Sequence, residues 1–297
     1  MREVVSRQPA APAAPAAHAG QITLGGDLVV NRLGFGAMRL TGRGIFGPPA
    51  DRDEAIRVLR RAIELGVDFI DTADSYGPHV SEELIAAALH PYPEGLVIAT
   101  KGGFDRPGPD RWTENGRPAH LRAALEGSLR RLKLDRIDLW QLHRIDPKVP
   151  EDEQLAVLAE FVREGKVRHV GLSEVDVAAI ERVRRVLPVV SVQNRYNLAD
   201  RKWEDVLVHC ERHGIAFIPW YPLGSGSIGD AKSVRKRLDQ VARRRHASPI
   251  QVAIAWLLAR SAVMLPIPGT SKVTHLEENV AAAELELSPQ DLEELSA

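Results

Sequence analysis

Cysteine is almost missing from this chain. A single Cys210 among 297 residues excludes an intrachain disulfide framework, and no apolar run approaches the ~20 residues of a membrane-spanning helix. Charge of one sign is missing as well. Lys plus Arg (39) offset Asp plus Glu (40), leaving a formal net charge of −1, so no long-range field draws the chain to nucleic-acid phosphates or an anionic membrane surface. A small-molecule partner and a soluble, reducing, cytoplasmic setting are therefore expected, with no nucleic acid and no membrane. The segment "PAAPAAPAAHAG" looks at first like a secretion signal, but its prolines interrupt any apolar helix and the residues before it are only weakly basic. Residues 1–20 are expected to form a disordered tail ahead of a fold that occupies 21–297.

What is present is alternation. "ITLGGDLVVNRLGFG" reads as a hairpin turning at Gly25 and Gly26, then a strand ending at Gly36. Helix-period segments at about 52–65, 81–90, 118–132, 150–164, 176–186, 201–213, 248–260 and 273–283 are separated by the apolar runs "VDFID", "LVIATK", "IDLWQLH", "RHVGLS", "VVSVQN", "IAFIPW" and "VMLPIPG". With the strand before Gly36 this makes eight strand–helix units, the count of a single (β/α)₈ barrel, although an open doubly wound sheet also alternates. An additional basic helix is expected in "SVRKRLDQVARRRH", after a Gly/Ser loop.

The residues that follow each apolar run favour the barrel. Asp71 and Tyr76, Lys101, His143, Ser173 and Glu174, Gln193 and Asn194, and Trp220 come in turn at strand C-termini, which all share one face of a barrel. Lys101 drives a charged side chain out of a buried strand, an expensive placement without a carboxylate nearby, and Asp71 is the natural partner. An adjacent ammonium favours the phenolate and lowers a tyrosine pKa from about 10, so Asp71, Lys101 and Tyr76 together read as a tuned general acid. His143 on the same face could hydrogen-bond a substrate oxygen.

On these motifs the chain resembles the aldo-keto reductases. "GVDFIDTADSYG", "IATKGG", "DLWQLHRID", "VRHVGLSE", "VQNRYN", "PWYPLGSG" and "IPGTSKVTHLEEN" fall in that family's order and approximate spacing, over residues 22–297. Within the family, "VNRLGFGAMRL", "FGPP", "DRDEAI" and "YGPHVSE" are most similar to a bacterial branch with members that reduce pyridoxal. The resemblance implies a catalytic tetrad of Tyr76 as acid, Lys101 as its tuner, Asp71 holding Lys101, and His143 orienting the carbonyl. It implies an NADPH/NADP+ site in which Ser173 and Gln193 bind the nicotinamide carboxamide and Trp220 stacks on the ring. Gly36, Ala37 and Met38 then meet the cofactor at the first strand, and Tyr221, Pro222, Leu223, Gly224 and Ser225 lead to the pyrophosphate. Gly269, Thr270, Ser271 and Lys272 take the 2′-phosphate at a helix N-terminus, while Glu278 and Asn279 lie near adenine. Phe46 and Trp112, with Tyr76 and His143, are the expected substrate wall. Most relatives have Asn where this chain has Glu174, which as a carboxylate can only accept; it is expected to accept from the carboxamide NH₂ or to pair with a loop arginine.

The implied reaction is reversible hydride transfer between NADP(H) and a carbonyl or alcohol, without metal. An alternative from another class is a nucleotide-sensing interaction protein like the potassium-channel β subunits, separable by turnover. Two motifs are set aside. "GSGSIG", from Gly224, formally matches a dinucleotide fingerprint but lacks the acidic residue at a second strand end. "HCERH" places His209 and His213 one helical turn apart, as zinc sites do, but Glu211 lies off the histidine face, so surface histidines are expected.

Overall fold

The computed structural model describes residues 13–224 and 232–297. Eleven strands occur among these residues: β1 (Gln21–Leu24), β2 (Leu28–Asn31), β3 (Phe35–Gly36), β4 (Phe69–Asp71), β5 (Val97–Gly102), β6 (Phe104–Gly108), β7 (Arg111–Glu114), β8 (Ile137–Leu142), β9 (Val167–Ser173), β10 (Val189–Gln193) and β11 (Ala216–Phe217). The helices are α1 (Arg52–Glu64), α2 (Val80–Leu89), α3 (Pro118–Leu132), α4 (Glu151–Arg163), α5 (Val177–Arg184), α6 (Glu204–His213), α7 (Lys232–Arg245), α8 (Pro249–Arg260), α9 (Val273–Ala281) and α10 (Pro289–Ser296).

Seven parallel strands run in the order β11-β10-β9-β8-β5-β4-β3. The eighth expected run, "VMLPIPG", forms no ladder of its own because Pro266 and Pro268 lack backbone donors. It nevertheless closes the ring. Phe217 N–H donates to Val263 (2.8 Å), Leu265 N–H to Phe217 (2.9 Å), and on the other side Gly34 N–H donates to Pro266 (3.0 Å). The result is a (β/α)₈ barrel, as the alternation predicts.

Strand pleating sorts the side chains. Phe69, Val97, Ala99, Leu139, Val190, Ala216, Ile218, Leu265 and Ile267 make one buried cluster with Leu24, Leu28 and Val30 of the β1–β2 hairpin, so the hairpin plugs one end of the barrel core. Trp140, on the opposite face of β8 from Leu139, packs outward edge-to-face on Phe161 of α4 (5.4 Å between ring centres). Helix starts carry their own signals. Asp51 accepts from Glu54 N–H at the head of α1, and Ser248 with Gln251 forms a capping box on α8, each cap worth about 1 kcal/mol.

The tail is shorter than expected. Pro15–Ala19 forms a 3₁₀ turn in which Ala16 is fully buried and donates its N–H to Leu65 (2.9 Å). Small alanines fit against packed helices, and this long-range docking leaves no periodic trace in the sequence. The basic helix is observed as α7, whereas Ser225 and the Gly/Ser segment to 231 lie outside the described residues. The β6–β7 hairpin was not expected. Its "PGPD" corner reads locally as plain loop, but Phe104 pairs with Glu114 and Asp105 with Thr113, and the hairpin lies beside the strand ends discussed next.

Candidate active site

Period-two alternation determines what converges at the strand C-termini. Phe69 and Asp71 on β4, Val97, Ala99 and Lys101 on β5, and Leu139 and Gln141 on β8, continued by His143, form inward files that begin as core and end as polar groups. Lys101, fully buried, donates from Nζ to Asp71 Oδ1 (2.6 Å), to the Thr72 carbonyl (2.9 Å) and to Tyr76 Oη (3.3 Å). The other carboxylate oxygen, Asp71 Oδ2, accepts from Gln141 Nε2 (3.0 Å) and Gln193 Nε2 (2.9 Å). A charged pair in low dielectric is tolerable only with such saturation, and removing one partner of a buried pair costs about 3–5 kcal/mol.

The electrostatics differ from expectation at one point. Burial pushes the Tyr76 phenol above its ordinary pKa, and Lys101 offsets this only in part. Desolvation penalises the phenolate more than one ammonium, itself neutralised by Asp71, favours it. Tyr76 is thus held as a protonated donor across the neutral range rather than softened toward phenolate. Burial also works against the Lys101 ammonium, but Asp71 and Tyr76 prevail and its pKa lies above the usual value. His143 is driven well below the ordinary imidazole range by burial first and then by Lys101, Arg144 and Arg106, so it is neutral. Its Nδ1 lies 3.4 Å from Ser75 Oγ; when that hydroxyl donates, the ring proton sits on Nε2, the nitrogen then able to donate.

Above the tetrad stand rings. Phe104 lies 4.7 Å from His143 and 5.4 Å from Trp112, while Trp112 lies 6.3 Å from Tyr76, all edge-to-face. Arg106 binds these loops together: its guanidinium stacks 3.5 Å from the Trp112 ring, 5.8 Å from Phe46, and donates to the carbonyls of Ser75 (2.7 Å) and Gly44 (2.9 Å). Phe46, Tyr76, Trp112 and His143 are thus brought together, the first through Arg106 and the others through their ring contacts. Phe104, Arg106, Ser75 and Gln141 join the site without having been singled out. Gln141 was legible, two residues before His143 on an inward file; Arg106 was not, because the carbonyls it holds, at Ser75 and Gly44, are more than thirty residues away.

The cofactor-side residues form a second group. Gly36 pairs with Asp71 in the β3–β4 register, and a Cβ on Gly36 would meet the Ile267 carbonyl at 2.7 Å, while one on Gly269 would collide with that of Gly36. The two glycines thus let the closing segment lie against the first strand, with Ala37 and Met38 following in a 3₁₀ turn, Ala37–Leu40. Ser173 Oγ accepts from Arg144 (3.0 Å). Glu174 has φ +54° and Tyr221 φ +59°, left-handed backbone that is costly for such residues and concentrates at functional sites. Glu174 Oε1 accepts from the Arg195 N–H and from Trp220 Nε1, each at 2.6 Å, so this carboxylate steers the Trp220 ring instead of pairing with an arginine side chain. Arg195 in turn stacks 4.8 Å from the Tyr221 ring. Pro222 and Gly224 are buried and Leu223 half-buried.

At α9 the exposed Ser271 and Lys272 and the buried Thr270 precede the first turn, as expected, and Glu278 and buried Asn279 lie within the helix. The Val273 N–H is already taken by Glu54 Oε1 (3.2 Å), reached from α1. The remaining polar groups suit a dinucleotide: hydroxyls and amides at one end, an indole held by its edge, and a cation at a helix N-terminus.

A model of the aldo/keto reductase family matches residues 32–297. The chain is 54% identical to an uncharacterized oxidoreductase of Schizosaccharomyces pombe over 96% of this chain and 92% of that one. It is 45% identical to pyridoxine 4-dehydrogenase of Escherichia coli, over 91% and 95%. Among solved structures it superposes on the glycerol dehydrogenase of Gluconobacter oxydans with a TM-score of 0.84 at 26% identity, covering 93% and 94%. An aldo-keto reductase from Klebsiella pneumoniae in complex with NADPH gives a TM-score of 0.78 at 26% identity, covering 93% of each. The chain belongs to the aldo/keto reductase family, whose members are NADP(H)-dependent oxidoreductases.

Proposed function

We propose that this protein reduces small aromatic and heteroaromatic aldehydes with NADPH, and oxidises the corresponding alcohols with NADP+, with pyridoxal and pyridoxine as the candidate pair. The observation that carries the substrate class is the cluster of rings beside the tetrad, where Phe104, Trp112, Tyr76 and His143 stand edge-to-face; flat apolar ligands gain most from such walls. The likeness to a pyridoxine 4-dehydrogenase supports the named pair.

Bound NADPH supplies the hydride. Trp220, Ser173, Gln193 and the Gly269–Lys272 stretch are the residues that would hold it. The chain's own groups act on the oxygen. Tyr76 Oη, protonated, donates to the carbonyl oxygen and gives up its proton as alkoxide charge develops. Neutral His143 orients the same oxygen from Nε2. Lys101, 3.3 Å from Tyr76 Oη, stabilises the phenolate left behind, and Asp71 with Gln141 and Gln193 keeps Lys101 in place. Donors preorganised for charge that exists only in the transition state contribute to rate rather than to substrate affinity. In the reverse direction the phenolate accepts the alcohol proton.

The test is a substrate panel with NADPH, scored by loss of reduced-nicotinamide absorbance. Pyridoxal and benzaldehyde are expected to exceed glucose in kcat/KM. A higher kcat/KM for glucose would overturn the aromatic reading, and failure to turn over any carbonyl would favour a nucleotide-binding role alone.

A further inference from the structure

We propose that Glu181, His209 and His213 form a zinc(II) site that ties α5 to α6 at the end of the barrel opposite the tetrad. The two histidines are four residues apart on α6 and so lie on one face, with ring centres 4.2 Å apart. Glu211, the acid within the motif, points elsewhere, 3.6 Å from Arg260. The structure supplies a different carboxylate. Glu181 of α5 sets Oε1 3.1 Å from His209 Nε2, and one ligand atom from each residue falls within 4.8 Å of the others.

Two features prepare the histidines as ligands. His213 Nδ1 lies 2.9 Å from the His209 carbonyl, a group that can only accept, so the ring proton is on Nδ1 and Nε2 presents a lone pair. A metal-bound histidine commonly has its second nitrogen fixed in this way. His209 Nε2 is buried and faces Glu181 Oε1 at 3.1 Å without a hydrogen bond of good geometry, so a cation between the two would satisfy both atoms. Two imidazoles and one carboxylate suit zinc, with water in the fourth position. Bonds near 2.1 Å place tetrahedral ligands about 3.4 Å apart; His213 is exposed and Glu181 half-exposed, so side-chain rotation can close the difference. Arg184 opposes a cation here, pairing with Glu181 Oε1 at 2.7 Å, but both side chains of that pair are substantially exposed, and such pairs are worth about 0–1 kcal/mol. His213 also lines a cleft of about 460 Å³ with Gly25 and Gly26 of the hairpin and Arg185, so a bound ion would stiffen the rim of that cleft.

The experiment is calorimetric titration of zinc chloride into the full chain in a non-chelating buffer, with cobalt(II) absorbance as a second readout. One site per chain is expected, with tetrahedral-type visible bands for cobalt. His213→Gln, a substitution at an exposed position, should weaken binding at least about tenfold, as should Glu181→Gln, a loss no smaller than the 10–100-fold seen when only a supporting contact is removed. His275→Gln, a control at an exposed position of α9 outside the three proposed ligands, should leave it unchanged. Absence of saturable binding up to millimolar zinc would overturn the proposal, as would undiminished affinity in His213→Gln.

Discussion

Replacing Glu174 with Ala removes one carboxylate that does two things at once. Its Oε1 holds the Trp220 indole N–H and the Arg195 backbone N–H, both at 2.6 Å, and Trp220 is the residue expected to cover the nicotinamide. A hydrogen bond to a charged partner contributes about 1.5–3 kcal/mol; Glu174 is half-exposed, so the lower figure applies, and at about 1.4 kcal/mol per decade it corresponds to roughly tenfold weaker NADPH binding. Glu174→Gln keeps an acceptor without the charge and should lie between. The assay is NADPH titration followed by quenching of tryptophan emission, repeated in a Trp220→Ala background with intrinsic emission from the other tryptophans. If Glu174 acts by holding Trp220, the two substitutions are strongly non-additive, since the second removes an interaction already lost. Additive losses would refute this reasoning and return Glu174 to direct contact with the carboxamide, and an unchanged dissociation constant in Glu174→Ala would refute both.

Tyr76→Phe should retain NADPH binding while single-turnover reduction falls roughly 10²-fold or more, the scale of general acid catalysis; near-normal reduction would remove Tyr76 from the mechanism. Because burial raises the Tyr76 pKa, the donor stays protonated through neutrality. Reduction should therefore be flat with pH up to the alkaline range and fall only above it, whereas alcohol oxidation, which needs the phenolate, should rise with pH; a falling reduction limb centred near neutrality would contradict the assignment. Lys272→Ala should reduce the preference for NADPH over NADH by about tenfold, the loss of one charge-assisted contact, and equal affinity for both cofactors in the parent protein would show that the 2′-phosphate is not read at this helix.

Eight alternating units were legible because hydrophobic period is local, and so were the tetrad positions, because a polar residue ending an apolar strand stands out in a short window. Asp71, Lys101 and His143 could be nominated on that ground, with Tyr76 five residues beyond Asp71. The partners that perfect them could not. Gln193 reaches Asp71 from 122 residues away, Arg106 reaches the carbonyls of Gly44 and Ser75 on two other loops, and Glu54 takes the first amide of α9 across 219 residues. Such contacts depend on how the barrel closes; the closing run "VMLPIPG" was legible as apolar, but not that its two prolines would leave it without a regular ladder. The direction of the Tyr76 pKa was decided at the same level. Sequence places a lysine near a phenol, but only the tertiary structure sets how much water is withdrawn from the ring, and desolvation outweighs the neighbouring charge. Glu174 shows the division most plainly: its identity is written in "GLSE", while its role as an anchor for Trp220 exists only because the barrel lets the end of β9 reach across the end of β10 to the segment after β11.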